Sequence, residues 1–594
     1  MVLLKPSTLS KSSKLRPQQE GFSESLIGDS VEAADAFIRQ WVSPHPHDSS
    51  SSSCSISSLF AADNRGEGRR FLDALGRLQY AIQSVILVNP GSAKLARAQE
   101  LMRTAMKHLQ KEFYRVLKSN RRFLDPESVS SWSSGSSDSI TTTRTSGSPE
   151  GELDSESSTE LGSERGGDAE AIVDLRMIAS CMVSSGYDKD CANIYKKFRR
   201  KNIVDALSNL GFENLPSAQM QKPEWEILEK KIKSWLRVAR VAITLFNGER
   251  ILCDHIFSSS VSVAESAFVE ITLQSALNLF VFPITVAKCR KTAEKIFPTL
   301  DVYQTILHLI PKIEQIFSYD ATASVRTQAA ESLEKLGESV NSMMIEFQSS
   351  ITKESSKSPI PGGGVHPLTR YVMNFIVFLA DYSDSLTAIL KDKESSLPLP
   401  EDYFSSGGGS NNEENPGKNG SPMAARLAWL ILVLLCKIDT KSRLYSDAAL
   451  SYLFLANSLR YILIKVRTSN LRVVLGDDWV ANHEVKVSQY LEKYEKMAWG
   501  DVITSLPRDS MAEAKAEGSL RRFNEAFEEA FKKHKTWVVP DPKLRDEIKA
   551  SITRKLMPGY TGFYKKYPVG SFKIVRFTPE DLNSHISDLY IGLG

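Results

Sequence analysis

WEILEKKIKSWLRVARVAITLF, residues 225–246, places apolar side chains at Leu228, Ile232, Trp235, Ala239, Ala242 and Phe246, spaced 4, 3, 4, 3 and 4 apart. That spacing draws a single stripe along one helix face and leaves the other faces to charge. The period recurs in both directions. Met102, Met106, Leu109, Phe113 and Val116 line one side of ARAQELMRTAMKHLQKEFYRVLK, and Leu520, Phe523, Phe527 and Phe531 line one side of LRRFNEAFEEAFKKHK. Helix starts are legible as well. Asp541-Pro542 gives a capping Asp with Pro at the first helical position, and Thr578-Pro579-Glu580-Asp581 repeats the device with acids in the first turn. No sustained alternation with hairpin turns competes. SFKIVRF, residues 571–577, alternates weakly and reads as an extended approach to the last helix. The fold expected is all-α.

A chain of 594 residues is too long for one core and divides into several packed units. Hydrophobic content of 42% and charged content of 24% are those of an ordinary water-exposed globular protein. The six cysteines (Cys54, Cys181, Cys191, Cys253, Cys289 and Cys436) contain no CxxC pair and read as reduced, packed thiols of a cytosolic protein. MVLLKPSTLSKSSK at the start has too few apolar residues before Lys5 for a secretory signal, and neither end signals a lipid anchor. The most apolar stretch noted, Met423 to Cys436, is short of the ~20 residues a bilayer span needs and contains Arg426, so it reads as a core helix.

Composition suggests the organisation. Residues 1–125 form an N-terminal helical region whose stripes are compatible with a coiled coil needing partner helices. Residues 126–170 are Ser-rich, then acidic, and read as a disordered linker. Residues 171–594 form a series of helical bundles, interrupted by Gly/Pro/Ser-rich loops near 353–364 and 391–421, with 511–594 as a basic terminal bundle. The run Gly362–Gly364 lacks the spacing of a phosphate-binding loop and is assigned to linker.

Charge is concentrated at one end. From Arg521 to Arg576 there are fourteen Lys/Arg against six Asp/Glu, or 14 − 6 = +8, whereas the whole chain stands at +3. The remainder is therefore net acidic, and the basic end favours a polyanion such as a lipid surface. No catalytic pattern accompanies it. His483-Glu484 is not followed by the second His of a zinc protease, there is no GxSxG, kinase or GxGxxG signature, and the nine histidines are dispersed. No enzyme activity, metal or cofactor is expected. Nucleic acid is disfavoured as a partner, because the aromatics follow core spacing and no recognition module is present.

Five collinear strings resemble the seventy-kilodalton subunit of the exocyst, in its plant-type form: KSWLRVARVAITLFNGERILCDHIF (233–257), HPLTRYVMNFIVFLADY (366–382), ALSYLFLANSLRYI (449–462), WVANHEVKVSQYLEKYEKMAWGDV (479–502) and LRRFNEAFEEAFKKHKTWVVPDPKLRDEIKASI (520–552). The resemblance implies an elongated rod of stacked helical bundles of the multisubunit tethering-complex type. It implies a non-enzymatic role in exocytosis, in which the complex tethers secretory vesicles to the plasma membrane. Partners implied are other exocyst subunits, engaged largely through N-terminal helices, phosphatidylinositol 4,5-bisphosphate at the C-terminal end, and a Rho-type small GTPase for which no contact residue is matched. Localisation would be cytoplasmic and peripheral to the plasma membrane. The family's lipid-binding pattern, two basic residues three apart before an aromatic, looks like Lys573-Ile574-Val575-Arg576-Phe577, with Arg in place of the second Lys. Lys565, Lys566, Arg554 and Lys555 join the candidate site by proximity. Tyr560, Phe563, Tyr564 and Tyr567 read either as interfacial aromatics or as core. A competing reading is a cytosolic helical adaptor in defence signalling or selective autophagy, switched by phosphorylation of the Ser-rich stretch.

Overall fold

The computed structural model describes residues 28, 31–41, 58–61, 63–88, 91, 93–120, 161–211, 225–391, 399, 421–506, 513–566 and 575–592. Among these the chain is helical with short connections, and one isolated antiparallel bridge, Val538 to Ile591, is the extended pairing. The chain separates into two compact units, residues 1–285 with 308–332, and residues 286–307 with 333–594.

In the first unit a helical stretch over 31–41 precedes α1 (Arg65–Val88), α2 (Ala93–Ser119), α3 (Leu161–Ser184), α4 (Asp188–Asn209), α5 (Trp225–Ile256) and α6 (Val261–Ala287). The α2 stripe, Met102 to Val116, is buried, and α2 packs on α1, α3 and α4. The N-terminal helices thus find partners within their own unit rather than only in another protein. The α5 stripe is buried at all six positions. Trp235 donates from Nε1 to the Leu279 carbonyl at 2.9 Å, and Phe246 packs edge-on to Phe317. Helix α3 begins at Leu161, so helical backbone starts inside the stretch assigned by composition to the linker; the stretch 121–160 lies outside the described residues.

The second unit contains α9 (Pro367–Ala380), α10 (Ser383–Leu390), α11 (Pro422–Ser442), α12 (Ala448–Arg467), α13 (Leu471–Leu475), α14 (Asp477–Thr504), α15 (Glu513–His534), α16 (Pro542–Lys566) and α17 (Pro579–Ser587), preceded along the chain by α7 (Ile296–Ile316) and α8 (Ala323–Lys353). Helices α12 and α14 lie side by side at its centre. The caps fall where the sequence places them. Asp541 Oδ2 accepts from Leu544 N at 3.1 Å, and Thr578 and Asp581 form a reciprocal capping box.

Two expectations are corrected. The run Gly362–Gly364 is not a loose linker but a tight, packed turn. Gly362 and Gly363 have φ of +66° and +70°, and a Cβ on them would sit 2.9 Å from the Thr536 carbonyl and 2.7 Å from Leu450 respectively. Val538 N donates to the Gly362 carbonyl at 2.8 Å, and Asn457 Nδ2 donates to both the Gly363 and Val538 carbonyls at 2.8 Å. Glycine is required here for its positive φ and for backbone contact, a reason different from flexibility. The loop assigned to 391–421 lies almost wholly outside the described residues.

The second correction concerns apolar length. Val261–Ala287 and Ala448–Arg467 are long and apolar enough to cross a membrane by length and composition, although 50% and 61% of their most apolar windows are buried within the protein. The pattern of the sequence singles out Met423 to Cys436 and passes over α6. Helix α6 is half-buried: Ser262, Ser266, Glu270 and Gln274 form its exposed edge at four-residue spacing, and the short, weakly polar serines and the many apolar residues elsewhere make that edge faint in the sequence.

Candidate functional site

The terminal bundle is built on an aromatic core. Phe523, Phe527 and Phe531 follow one another along α15, and Phe523 stacks on Tyr560 of α16 with ring centres 5.0 Å apart. Leu544, Ile548, Ile552, Leu556, Tyr560 and Phe563 form the buried side of α16. Of the aromatics left open between core and lipid, Tyr560 and Phe563 are thus core and Tyr564 is half-buried; Tyr567 lies outside the described residues. Tyr560 donates to the Phe577 carbonyl at 2.8 Å, and Phe577 packs edge-on to Phe527 at 5.4 Å. Burial pushes the Tyr560 hydroxyl up to about 12, so it remains a donor at neutral pH. These contacts pin the short run 575–578 across the C-terminal third of α16.

The cations are distributed around this core. Arg554, Lys555, Lys565 and Lys566 are all exposed on α16. Eleven residues make just over three helical turns, so Arg554 and Lys565 share one side about 16 Å apart, and Lys555 and Lys566 share the adjacent one. Lys543, absent from the site expected from sequence, stands eleven residues before Arg554 and extends the stripe. Lys543, Arg554 and Lys565 make no ion pair among the described residues.

Other members are engaged. Arg576 Nη1 lies 2.7 Å from Glu528 Oε1 of α15, with both side chains about half exposed. Lys555 pairs with Glu495 of α14, which also accepts from Ser551 Oγ at 3.0 Å. Lys533 pairs with Asp447. These links run between helices rather than along one, so no i,i+4 spacing announces them. Lys573 lies outside the described residues. The structure therefore brings Arg576 alongside α16, near the level of Tyr560 and five to six residues from Lys565 and Lys566. It leaves Arg554 and Lys565 open, and it occupies Lys555.

The helical scaffold of this end thus leaves part of its cationic face open. The chain belongs to the Exo70 family of exocyst complex subunits. A family model for the C-terminal region of the Exo70 exocyst complex subunit matches residues 233–588, and one for the N-terminal region of exocyst complex component Exo70 matches residues 30–119. Among relatives, exocyst complex component EXO70B1 of Arabidopsis thaliana is 31% identical over 71% of this chain and 66% of its own length. EXO70A1 of the same plant is 30% identical over 70% of this chain, again covering 66% of the relative. The matched stretch thus spans just under two thirds of these relatives. Crystal structures of the Saccharomyces cerevisiae exocyst component Exo70p share the fold: one gives a TM-score of 0.53 at 14% identity, covering 95% of this chain and 100% of that one. Another, described together with the Exo84p C-terminal domains, gives 0.54 at 13% identity over 96% and 98%.

Proposed function

We propose that this chain is a non-enzymatic subunit of the exocyst, acting with other subunits of that complex to tether secretory vesicles at the plasma membrane. Family membership over most of the chain supports the tethering role. The observation that supports the membrane contact is the open cationic stripe of α16, Lys543, Arg554 and Lys565, with Lys566 next to it in sequence; Arg576, paired to Glu528, lies on the run that meets α16 at Tyr560. The ligand fitted to it is an anionic leaflet rich in phosphatidylinositol 4,5-bisphosphate, and the attachment is peripheral. Near such a leaflet each Lys/Arg contributes about 1 kcal/mol, so a handful of positions gives binding that holds yet reverses.

Flotation with vesicles containing phosphatidylinositol 4,5-bisphosphate tests the site. Lys565→Glu with Lys566→Glu is expected to weaken recovery at least tenfold, and Lys573→Glu with Arg576→Glu to weaken it further. Lys555→Ala, already held by Glu495, is expected to change little. Undiminished flotation of the first pair would remove α16 from the membrane contact. Co-purification of the other exocyst subunits tests the complex itself.

A further inference from the structure

A second cationic cluster lies in the first unit and owes nothing to the C-terminal end. Helix α4 carries Lys196, Lys197, Arg199, Arg200 and Lys201 within six consecutive residues, with no acid among them. Arg199 points inward. It is 1% exposed and makes two bonds to Glu249 Oε2, at 2.9 and 2.7 Å, while Tyr195 donates to Glu249 Oε1 at 3.0 Å. That buried pair locks the rotation of α4. At 100° per residue, Lys197 and Lys201 then fall on the opposite side of the helix and Arg200 on the flank beside them, and all three are exposed.

These three side chains make no ion pair among the described residues. Their neighbours are paired: Lys196 lies 2.6 Å from Glu270 of α6 and 3.2 Å from Ser266. Lys197 stands three residues from Arg200 and four from Lys201, the spacings at which like charges on a helix repel. The acids nearest this spot are Asp205, four residues beyond Lys201, and Glu270 of α6, so cations outnumber carboxylates around it. The spot is a shallow, open hollow of about 490 Å³ along α4, bordered on the α6 side by Glu270; besides the four cations it is lined by Asn193, Val204 and Asp205. Both size and charge suit a small polyanion. The free cations span four residues, about 6 Å of helix rise. An extended acidic peptide presents same-side carboxylates at about 6.8 Å, one per cation at best. A ring carrying several phosphates places more charge within that span.

We propose that the hollow along α4 is an anion site for a compact polyphosphorylated group, such as a phosphorylated inositol ring, with Lys197, Arg200 and Lys201 as its donors. The shared chemistry is clustered phosphates, whether on a lipid headgroup or on a soluble molecule. Glu270 opposes the anion and at the same time occupies Lys196.

The test uses the full chain with four C-terminal cations already reversed (Lys565→Glu, Lys566→Glu, Lys573→Glu, Arg576→Glu), so that failure of the membrane site and failure of this one are separable. Titration calorimetry with soluble inositol 1,4,5-trisphosphate is expected to show binding. Lys197→Ala with Arg200→Ala and Lys201→Ala weakens it tenfold or more, as loss of charge-assisted hydrogen bonds requires. Glu270→Gln acts in the opposite direction and tightens it, a gain that misfolding would not produce. Vesicles carrying the bisphosphorylated lipid distinguish the source: recovery that depends on the three α4 cations assigns a headgroup, and calorimetric binding without such recovery assigns a soluble ligand. Absence of trisphosphate binding, or equal binding by the triple variant, overturns the proposal. Tighter binding of a peptide of residues 149–168 than of the trisphosphate would overturn it in favour of an acidic polypeptide.

Discussion

His534 closes α15 inside the aromatic core, 1% exposed, with ring centres 4.2 Å from Trp537 and 5.1 Å from Trp499, and its Nδ1 has no hydrogen-bond partner. Burial, aided by Lys533, pushes its pKa down to about 3. His483, stacked on Trp479, is pushed down to about 4 by burial. A base held neutral in the fold binds fewer protons there than when unfolded, so its contribution is complete above about 6.5 and is lost as pH falls from there towards 3. Each such group can cost up to about 1.4 kcal/mol per pH unit. Thermal unfolding is expected to shift downward between pH 7 and pH 5, and His534→Gln should flatten that shift; an unchanged slope would mean the imidazole is not held neutral. The Arg199–Glu249 pair makes a second prediction at this scale. Removing one partner strands a buried charge, so Glu249→Gln is expected to destabilise the first unit by about 3–5 kcal/mol, read as a lower urea midpoint.

Among elements, those with one apolar face are readable in the sequence and those without are not. The α5, α2 and α15 stripes announce which side is buried because the other sides are charged. The caps at Asp541 and Thr578 are equally plain, since their hydrogen bonds are local. Thr578→Ala removes one half of the capping box and is expected to cost about 1 kcal/mol, with Thr578→Ser recovering most of it; a neutral alanine would show that packing alone fixes α17. Helix α6 escapes notice because its exposed edge, Ser262, Ser266, Glu270 and Gln274, carries a single charge and contrasts little with its apolar side. Prolines also mislead by rule. Pro283, Pro311 and Pro558 lie inside α6, α7 and α16, where neighbouring packing outweighs the lost backbone bond. The candidate site is half legible. Sequence locates its cations, but Glu495 and Glu528 lie 60 and 48 residues from the charges they occupy, and only folding brings them there.

At the scale of the molecule, charge asymmetry is the property that composition alone conveys. The excess of +8 over residues 521–576 already counts Glu528, the partner of Arg576; Glu495 and Asp447, from outside that segment, pair with Lys555 and Lys533 and lower it further, so fewer charges reach outward than the tally suggests. Vesicle recovery is therefore expected to fall steadily as salt rises from about 0.05 to 0.5 M, since the Debye length contracts across that range. Recovery insensitive to salt would point to insertion rather than attraction. The turn at Pro361–Gly363 has a practical corollary for dissecting the protein. Because Asn457 and Val538 use the carbonyls of Gly362 and Gly363, an expression boundary drawn just after this turn deprives α12 and the approach to α16 of their clasp. Truncations meant to isolate the basic end keep their integrity only when they start upstream of Ile360.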